Sequence, residues 1–245
     1  MSFSVRRMPI RQENPFVDPT EKLRKDVNPF VTELIEGSLS GNLPALFGAQ
    51  LEGKAGQWKQ LMAQKRGLEE LLPLYVEIGC HKGRMLADMA LDKPAASFLG
   101  IDITFKRVVE TARKAKKLPV CNLWSLLANG RGLGQLFSKG EVDGFMVFFP
   151  DPWVKKKRQL KNRLLDASFL SCLVERLATG GFFWFKTDQL GYFEDVSNIC
   201  SDLGLKKLLL SDLDCFEGRD YMTTFQKGFM DKGCKTYGCV WVKAQ

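Results

Sequence analysis

Leu74-Tyr-Val-Glu-Ile-Gly-Cys-His-Lys-Gly83 leaves a short apolar run interrupted only by Glu77, crosses a turn with two glycines, and enters a segment with Met85, Leu86, Met89 and Ala90 at helical spacing. Pro73 and Gly79 bound the run, so it reads as a short buried strand over Leu74–Ile78. Glycines let the chain turn tightly and approach a ligand closely. With only Gly79 and Gly83 present, the turn is not the GxGxxG of a dinucleotide site.

The same alternation continues outward. Ser97–Ile103 reads as a second strand, Thr104 as the cap of a helix reaching Ala115, and Leu123–Leu127 as a third strand. Phe145–Phe149 is the fourth strand. Asp166 caps a helix that Gly180 stops, and Phe182–Lys186 is the fifth strand. A helix over 189–203 and strand-like pieces at Lys207–Leu210 and Tyr237–Val242 follow. Apolar strands alternating with helices predict a doubly wound α/β sheet with parallel strands buried on both faces. The last pieces predict an antiparallel hairpin at its edge. Ligands of such sheets sit at the carboxyl ends of the strands.

Before Leu74 the pattern differs. Pro9, Pro15, Pro19 and Pro29 punctuate a stretch made basic by Arg6, Arg7, Arg11, Lys22, Arg24 and Lys25. We expect residues 1–70 to be a partly ordered arm with a short helix near Val31–Ile35, and residues 71–245 to be the catalytic domain.

Composition bounds the function. The 245 residues carry 36 Lys and Arg against 28 Asp and Glu, a net charge of +8, which favours an anionic partner. No apolar run is long enough to cross a bilayer, and the first residues lack the core of a signal peptide, so a cytoplasmic location is expected. Seven cysteines without a CxxC pair, and a single histidine, give no zinc spacing; buried free thiols and no metal are expected. One histidine, His81, leaves little room for a Ser-His-Asp or Cys-His nucleophile.

The candidate site residues lie at strand ends. Glu77, before the turn, can pair with the ammonium of S-adenosylmethionine or lie near its sulfonium; the alternative is an ordinary strand-to-helix turn. Asp102 ends the second strand about twenty residues on, where a carboxylate accepts from both ribose hydroxyls, or simply complements the next helix dipole. Asn129 ends the third strand and can meet an adenine edge, although Asn-Gly is also a common turn. Phe148-Phe-Pro-Asp-Pro-Trp153 holds Asp151 between two prolines that restrict its backbone. Lys155, Lys156, Lys157, Arg158, Lys161 and Arg163 follow, either as an RNA contact or as a solvated charge run. Lys186-Thr-Asp188 and Thr223-Thr-Phe-Gln226 are polar segments without a role of their own.

In this order the pieces resemble the bacterial tRNA (guanine-N7)-methyltransferases of the TrmB type. The resemblance covers about Gly56 to the C-terminus. Its most specific element is Phe149-Pro-Asp-Pro-Trp153 with its basic run. It implies a Rossmann-like, seven-stranded methyltransferase sheet with an antiparallel C-terminal edge strand. It implies S-adenosylmethionine as cofactor, and the variable-loop guanine at position 46 of tRNA as acceptor, giving m7G. By motif position, Glu77, Gly79, Gly83, Asp102, Asn129 and Asp151 line the cofactor site, with Asp151 as the catalytic residue. Lys155, Asp188, Thr223 and Gln226 contact substrate; Lys156, Lys157, Arg158, Lys161 and Arg163 touch RNA. A monomer or homodimer is implied, with no partner subunit. His81, Asp102, Asn129 and Gln226 stand where the family usually has Gly, Glu, an acid and Glu, and the basic run is one residue longer than usual and lacks the usual histidine. These departures keep two alternatives open: a catalytically weakened tRNA-binding relative, and a methyltransferase with a non-RNA substrate.

Overall fold

A computed structural model describes residues 14–19, 28–153 and 157–244. In chain order the elements are α1 (Pro29–Leu39), β1 (Ala45–Phe47), α2 (Trp58–Arg66), β2 (Leu74–Ile78), α3 (Arg84–Asp92), β3 (Ser97–Asp102), α4 (Phe105–Ala115) and β4 (Leu123–Leu127). Then come α5 (Leu133–Leu136), β5 (Val142–Phe148), α6 (Ala167–Arg176), β6 (Leu177–Thr187), α7 (Leu190–Asp202), β7 (Leu205–Leu208), α8 (Thr224–Met230) and β8 (Tyr237–Lys243). The strands form one sheet in the order β1-β4-β3-β2-β5-β6-β8-β7. All pairs from β1 to β6 are parallel, and β8 is antiparallel to both β6 and β7.

The doubly wound architecture expected from the alternation is present, with three differences. Among the described residues the sheet has eight strands rather than seven, because Ala45–Phe47 adds a short strand beside β4. The antiparallel C-terminal strand is not the edge: β8 lies between β6 and β7. The helix capped by Asp166 ends at Arg176 rather than near Gly180, and β6 begins at once. The cap itself forms, with Asp166 accepting from the Phe169 N–H at 2.9 Å.

Part of the expected arm is built into the core. α1 starts with Asn28 as its cap and Pro29 at its first position. Its buried Val31 and Leu34 face α4, where Leu34 joins Val108, Val109 and Ala112. Trp58 is fully buried and donates from Nε1 to the Leu136 carbonyl at 2.7 Å. The packed core therefore begins well before residue 70. A few large apolar side chains supply that burial inside a stretch whose average composition is polar.

Two apolar layers sandwich the sheet. One packs under α2, α5, α6 and α7 through Trp58, Leu133, Phe169, Leu173, Tyr192 and Val196. The other packs under α3 and the 210–221 segment, through Met85, Leu86, Leu213 and Phe216 against Phe98, Met146 and Trp184. The thiols are mixed in placement: Cys80, Cys200 and Cys239 are buried, while Cys121 and Cys234 are exposed.

Candidate active site

The strand register places Glu77 opposite Gly100, and Ile78 opposite Ile101, so the carboxylates of Glu77 and Asp102 come to adjacent strand ends. Glu77 is buried, and its Oε2 has no hydrogen-bond partner among the described residues. Burial, and then the nearby Asp102, push its carboxyl up to about 8. A buried acceptor without a donor is costly unless a ligand completes it. A cationic amino-acid end fits that vacancy.

The turn that follows is pinned to β3, with Gly79 and Cys80 donating to the Ile101 carbonyl at 2.8 and 3.1 Å. Gly79 has φ +78, and nothing lies within 4 Å of where a side chain would start. Gly83 has φ +59, and a Cβ there would lie 2.4 Å from Thr111. The first glycine opens space in front of the turn; the second lets α3 and α4 approach each other. His81 between them also has a positive φ of 50°, the position where the family usually has glycine. Burial, and then Arg107, lower its pKa, which favours the neutral imidazole.

Asp102 is buried, and its Oδ1 and Oδ2 accept from Thr104 N–H at 2.9 Å and His81 N–H at 3.2 Å. Arg107 lies 3.7 Å from Oδ2. Each carboxylate oxygen retains a lone pair for a ribose hydroxyl. Asn129 is half-buried, accepting from Arg131 N–H at 3.0 Å and donating from its backbone to the Pro15 carbonyl at 3.0 Å. The 14–19 segment therefore borders the end of β4, where Phe16 bridges to Ala128.

Asp151 stands exposed just past β5, next to β2 in the sheet. Phe149 (φ 51°) and Trp153 (φ 47°), on either side of Pro150-Asp-Pro152, adopt a conformation that L-residues disfavour by about 1–2 kcal/mol each. Two contacts hold this turn. Phe149 N–H donates to the Lys186 carbonyl at 2.8 Å, and Arg163 Nε donates to the Pro152 carbonyl at 2.8 Å.

Arg163 departs from its expected place. It is buried rather than presented to solvent, pairs with Asp195 at 2.6 Å, and stacks on Tyr192 at 4.4 Å. Lys157, Arg158 and Lys161 lie in the 3-10 turn Lys157–Asn162, with Lys161 exposed. Lys155 and Lys156 lie outside the described residues.

Asp188 is half-buried at the end of β6 and accepts from Gln189 Nε2 at 2.6 Å. Thr223 caps α8, accepting from Gln226 N–H at 2.9 Å. Gln226 is buried and its Oε1 accepts from Lys186 Nζ at 3.1 Å. Sequence reasoning assigned no role to Lys186. Only 4% exposed, it also donates to the Tyr221 carbonyl at 2.8 Å and pairs with Asp220. Asp220 thus balances the buried ammonium where Gln226 brings no charge. The Thr-x-x-Gln spacing is itself a helix-start signal, and it could have revealed α8.

α8 links the two turns. Phe225 meets His81 edge-on at 5.1 Å, and Phe229 stacks on Phe149 at 5.6 Å. Aromatics four residues apart share one helix face. That face spans from the cofactor turn to the Asp151 turn.

Comparisons with known proteins give the family and the fold. The family model Methyltransf_4, whose description reads "Putative methyltransferase", matches residues 72–236. A solved antibiotic-related methyltransferase is 17% identical, with a TM-score of 0.51, covering 76% of this chain and 94% of that one. The 16S rRNA methyltransferase KamB is 14% identical, with a TM-score of 0.53, covering 74% and 92%. At these identities the likeness is one of fold. The family model spans two thirds of the chain and most of the sheet, so the chain belongs to the Methyltransf_4 family of S-adenosylmethionine-dependent methyltransferases.

Proposed function

We propose that the protein methylates N7 of the variable-loop guanine at position 46 of tRNA, giving m7G. The observation that carries this reading is the braced Asp151 turn. An exposed carboxylate is held in a strained loop beside the Glu77 site and runs directly into a basic segment.

S-adenosylmethionine supplies an electrophilic methyl group on its sulfonium. Glu77 holds the amino-acid end, Asp102 the ribose and Asn129 the adenine edge, with Gly79 and Gly83 admitting the close approach. Guanine N7 has an in-plane lone pair and no proton, so the acceptor needs alignment more than a strong base. Asp151 either accepts from the guanine N1–H and exocyclic amine or offsets the positive charge that grows on the ring. Lys155 and Asp188 are assigned to contact the acceptor nucleotide, while Thr223 and Gln226, buried in the cap of α8 and on Lys186, support that side of the site from behind. Phosphates meet Lys156, Lys157, Arg158 and Lys161, which position the RNA without reading its sequence.

The test is incubation with unmodified tRNA and labelled donor, followed by borohydride–aniline cleavage. A break at the variable-loop guanine that disappears in Asp151→Ala supports the reading. Methyl transfer elsewhere, or a fully active Asp151→Ala, removes it. One observation favours a second reading, a tRNA-binding relative of low activity: Gln226 Oε1 is already occupied by Lys186. Calorimetry separates the two, since tRNA binding without cofactor binding supports only the second.

A further inference from the structure

We infer that α4 and the adjoining start of α3 form a second RNA-contacting surface, which takes the phosphate backbone on the side of the mouth opposite the Lys157–Asn162 turn. This rests on the RNA reading above.

Six of the twelve residues from Lys106 to Lys117 are basic and only Glu110 is acidic. Lys106 lies over Phe30, and Arg113 pairs with Glu33. Arg107, Lys114, Lys116 and Lys117 remain; Arg107 and Lys114, seven apart, share one face of α4, and Lys116 and Lys117 follow in the turn just past Ala115. Lys82, within the cofactor turn, and Arg84, the first residue of α3, are exposed and lie near Lys114. Burial most of all lowers the pKa of Lys114; Glu110 raises it, and Lys82, Lys117 and Arg84 then lower it. Among the described residues, Lys82, Arg84, Lys114, Lys116 and Lys117 enter no ion pair. Five cations around the single carboxylate of Glu110 repel one another until an anion joins them.

Position selects the anion. Arg107, 3.7 Å from the Asp102 carboxylate, places one end of the stripe at the cofactor site. From there it runs about 15 Å along α4. β3 and β5 flank β2, roughly 10 Å apart, so the stripe and the turn after β5 stand on the two sides of the mouth. A small acceptor reaches one side only. A folded RNA spans both, with its acceptor base between them.

The full chain and its Arg84→Gln/Lys114→Gln/Lys117→Gln variant are titrated with unmodified tRNA from about 50 to about 300 mM salt. We expect roughly tenfold weaker binding at low salt and a log–log slope shallower by about 2 to 3. Calorimetric binding of S-adenosylhomocysteine stays unchanged. The Glu triple variant weakens tRNA binding further. A slope equal to that of wild type overturns the inference, as does a wild type that binds phosphatidylserine vesicles but not tRNA. If Lys161→Gln flattens the slope and the triple variant does not, this inference alone falls. If the wild type neither binds nor methylates tRNA, the RNA reading fails with it.

Discussion

Arg163 donates from Nε to the carbonyl oxygen of Pro152 at 2.8 Å, and so ties the loop after Asp151 to the buried start of α6 and α7. The guanidinium stacks on Tyr192 and pairs with Asp195, and Tyr192 Oη in turn accepts from Leu165 N–H at 3.0 Å. A planar, forked cation suits this position because it bonds in two directions while lying flat on a ring.

Arg163→Ala should therefore lower kcat by about 10- to 100-fold while leaving the tRNA KM within about threefold, since a small displacement of a reacting group costs that much. Arg163→Lys should stay impaired, because an ammonium cannot reproduce the fork. Steady-state kinetics decide. A raised KM with unchanged kcat and a flatter salt slope would show that Arg163 touches RNA instead.

Glu77 should make both stability and cofactor binding depend on pH. Its folded pKa, about 8, lies above the ordinary 4.5, so the folded apoprotein holds a proton that the unfolded chain loses. That contribution is complete below about pH 4.5 and is lost as pH rises through about 8, at up to about 1.4 kcal/mol per unit. Urea denaturation of Glu77→Gln should show a smaller difference between pH 6 and pH 9 than wild type. A cationic ligand end draws Glu77 into its ionised form, so cofactor binding near pH 7 should release a proton. Calorimetry in buffers of different ionisation enthalpy measures it, and a count of zero contradicts the pairing.

The two glycines of the turn should fail differently. Gly79→Ala meets open space and should cost about 1–2 kcal/mol of backbone strain, with at least about tenfold weaker cofactor binding. Gly83→Ala drives a methyl into Thr111 and should cost about 3 kcal/mol or more. Adding Thr111→Ala should recover part of that loss. Equal denaturant midpoints for the two single variants would contradict this division.

Lys186 should hold α8 in place. Lys186→Met leaves the Tyr221 carbonyl, Gln226 Oε1 and Asp220 without their donor, a loss of about 2–4 kcal/mol. Asp220 is half-exposed, which favours the lower end. Hydrogen exchange over Thr224–Met230 should speed up, and adding Asp220→Asn should cost less than the separate losses combined. A wild-type midpoint for Lys186→Met would deny the network any structural weight.

Elements with strong local pattern were legible in the sequence. β2, its glycine turn and α3 follow from an apolar run, Gly79 and Gly83, and period-3.6 spacing within eighteen residues. Asp166 was legible as a cap because capping joins residues three apart. β1 was not: Ala45-Leu-Phe47 is too short to show a period, and it exists because β4 offers it an edge. α8 was missed although Thr223 and Gln226 carry its start signal, since both were read as substrate contacts. Glu77 and Asp102 were legible as a pair because the order of parallel strands brings their ends together.

Local pattern was enough to set the alternating strands and helices, the carboxylates at their ends and the two prolines around Asp151, because each depends on neighbours a few residues apart. Tertiary structure alone decided that Arg163 turns inward to brace Pro152 rather than outward, and that Lys186 is neutralised by Asp220 across 34 residues. It also gathered Lys82 and Arg84 beside Lys114. A charge count does not say which cations are spent inside the fold and which remain for a partner. Burial and the positions of distant carboxylates decide that, and they exist only once the chain has folded.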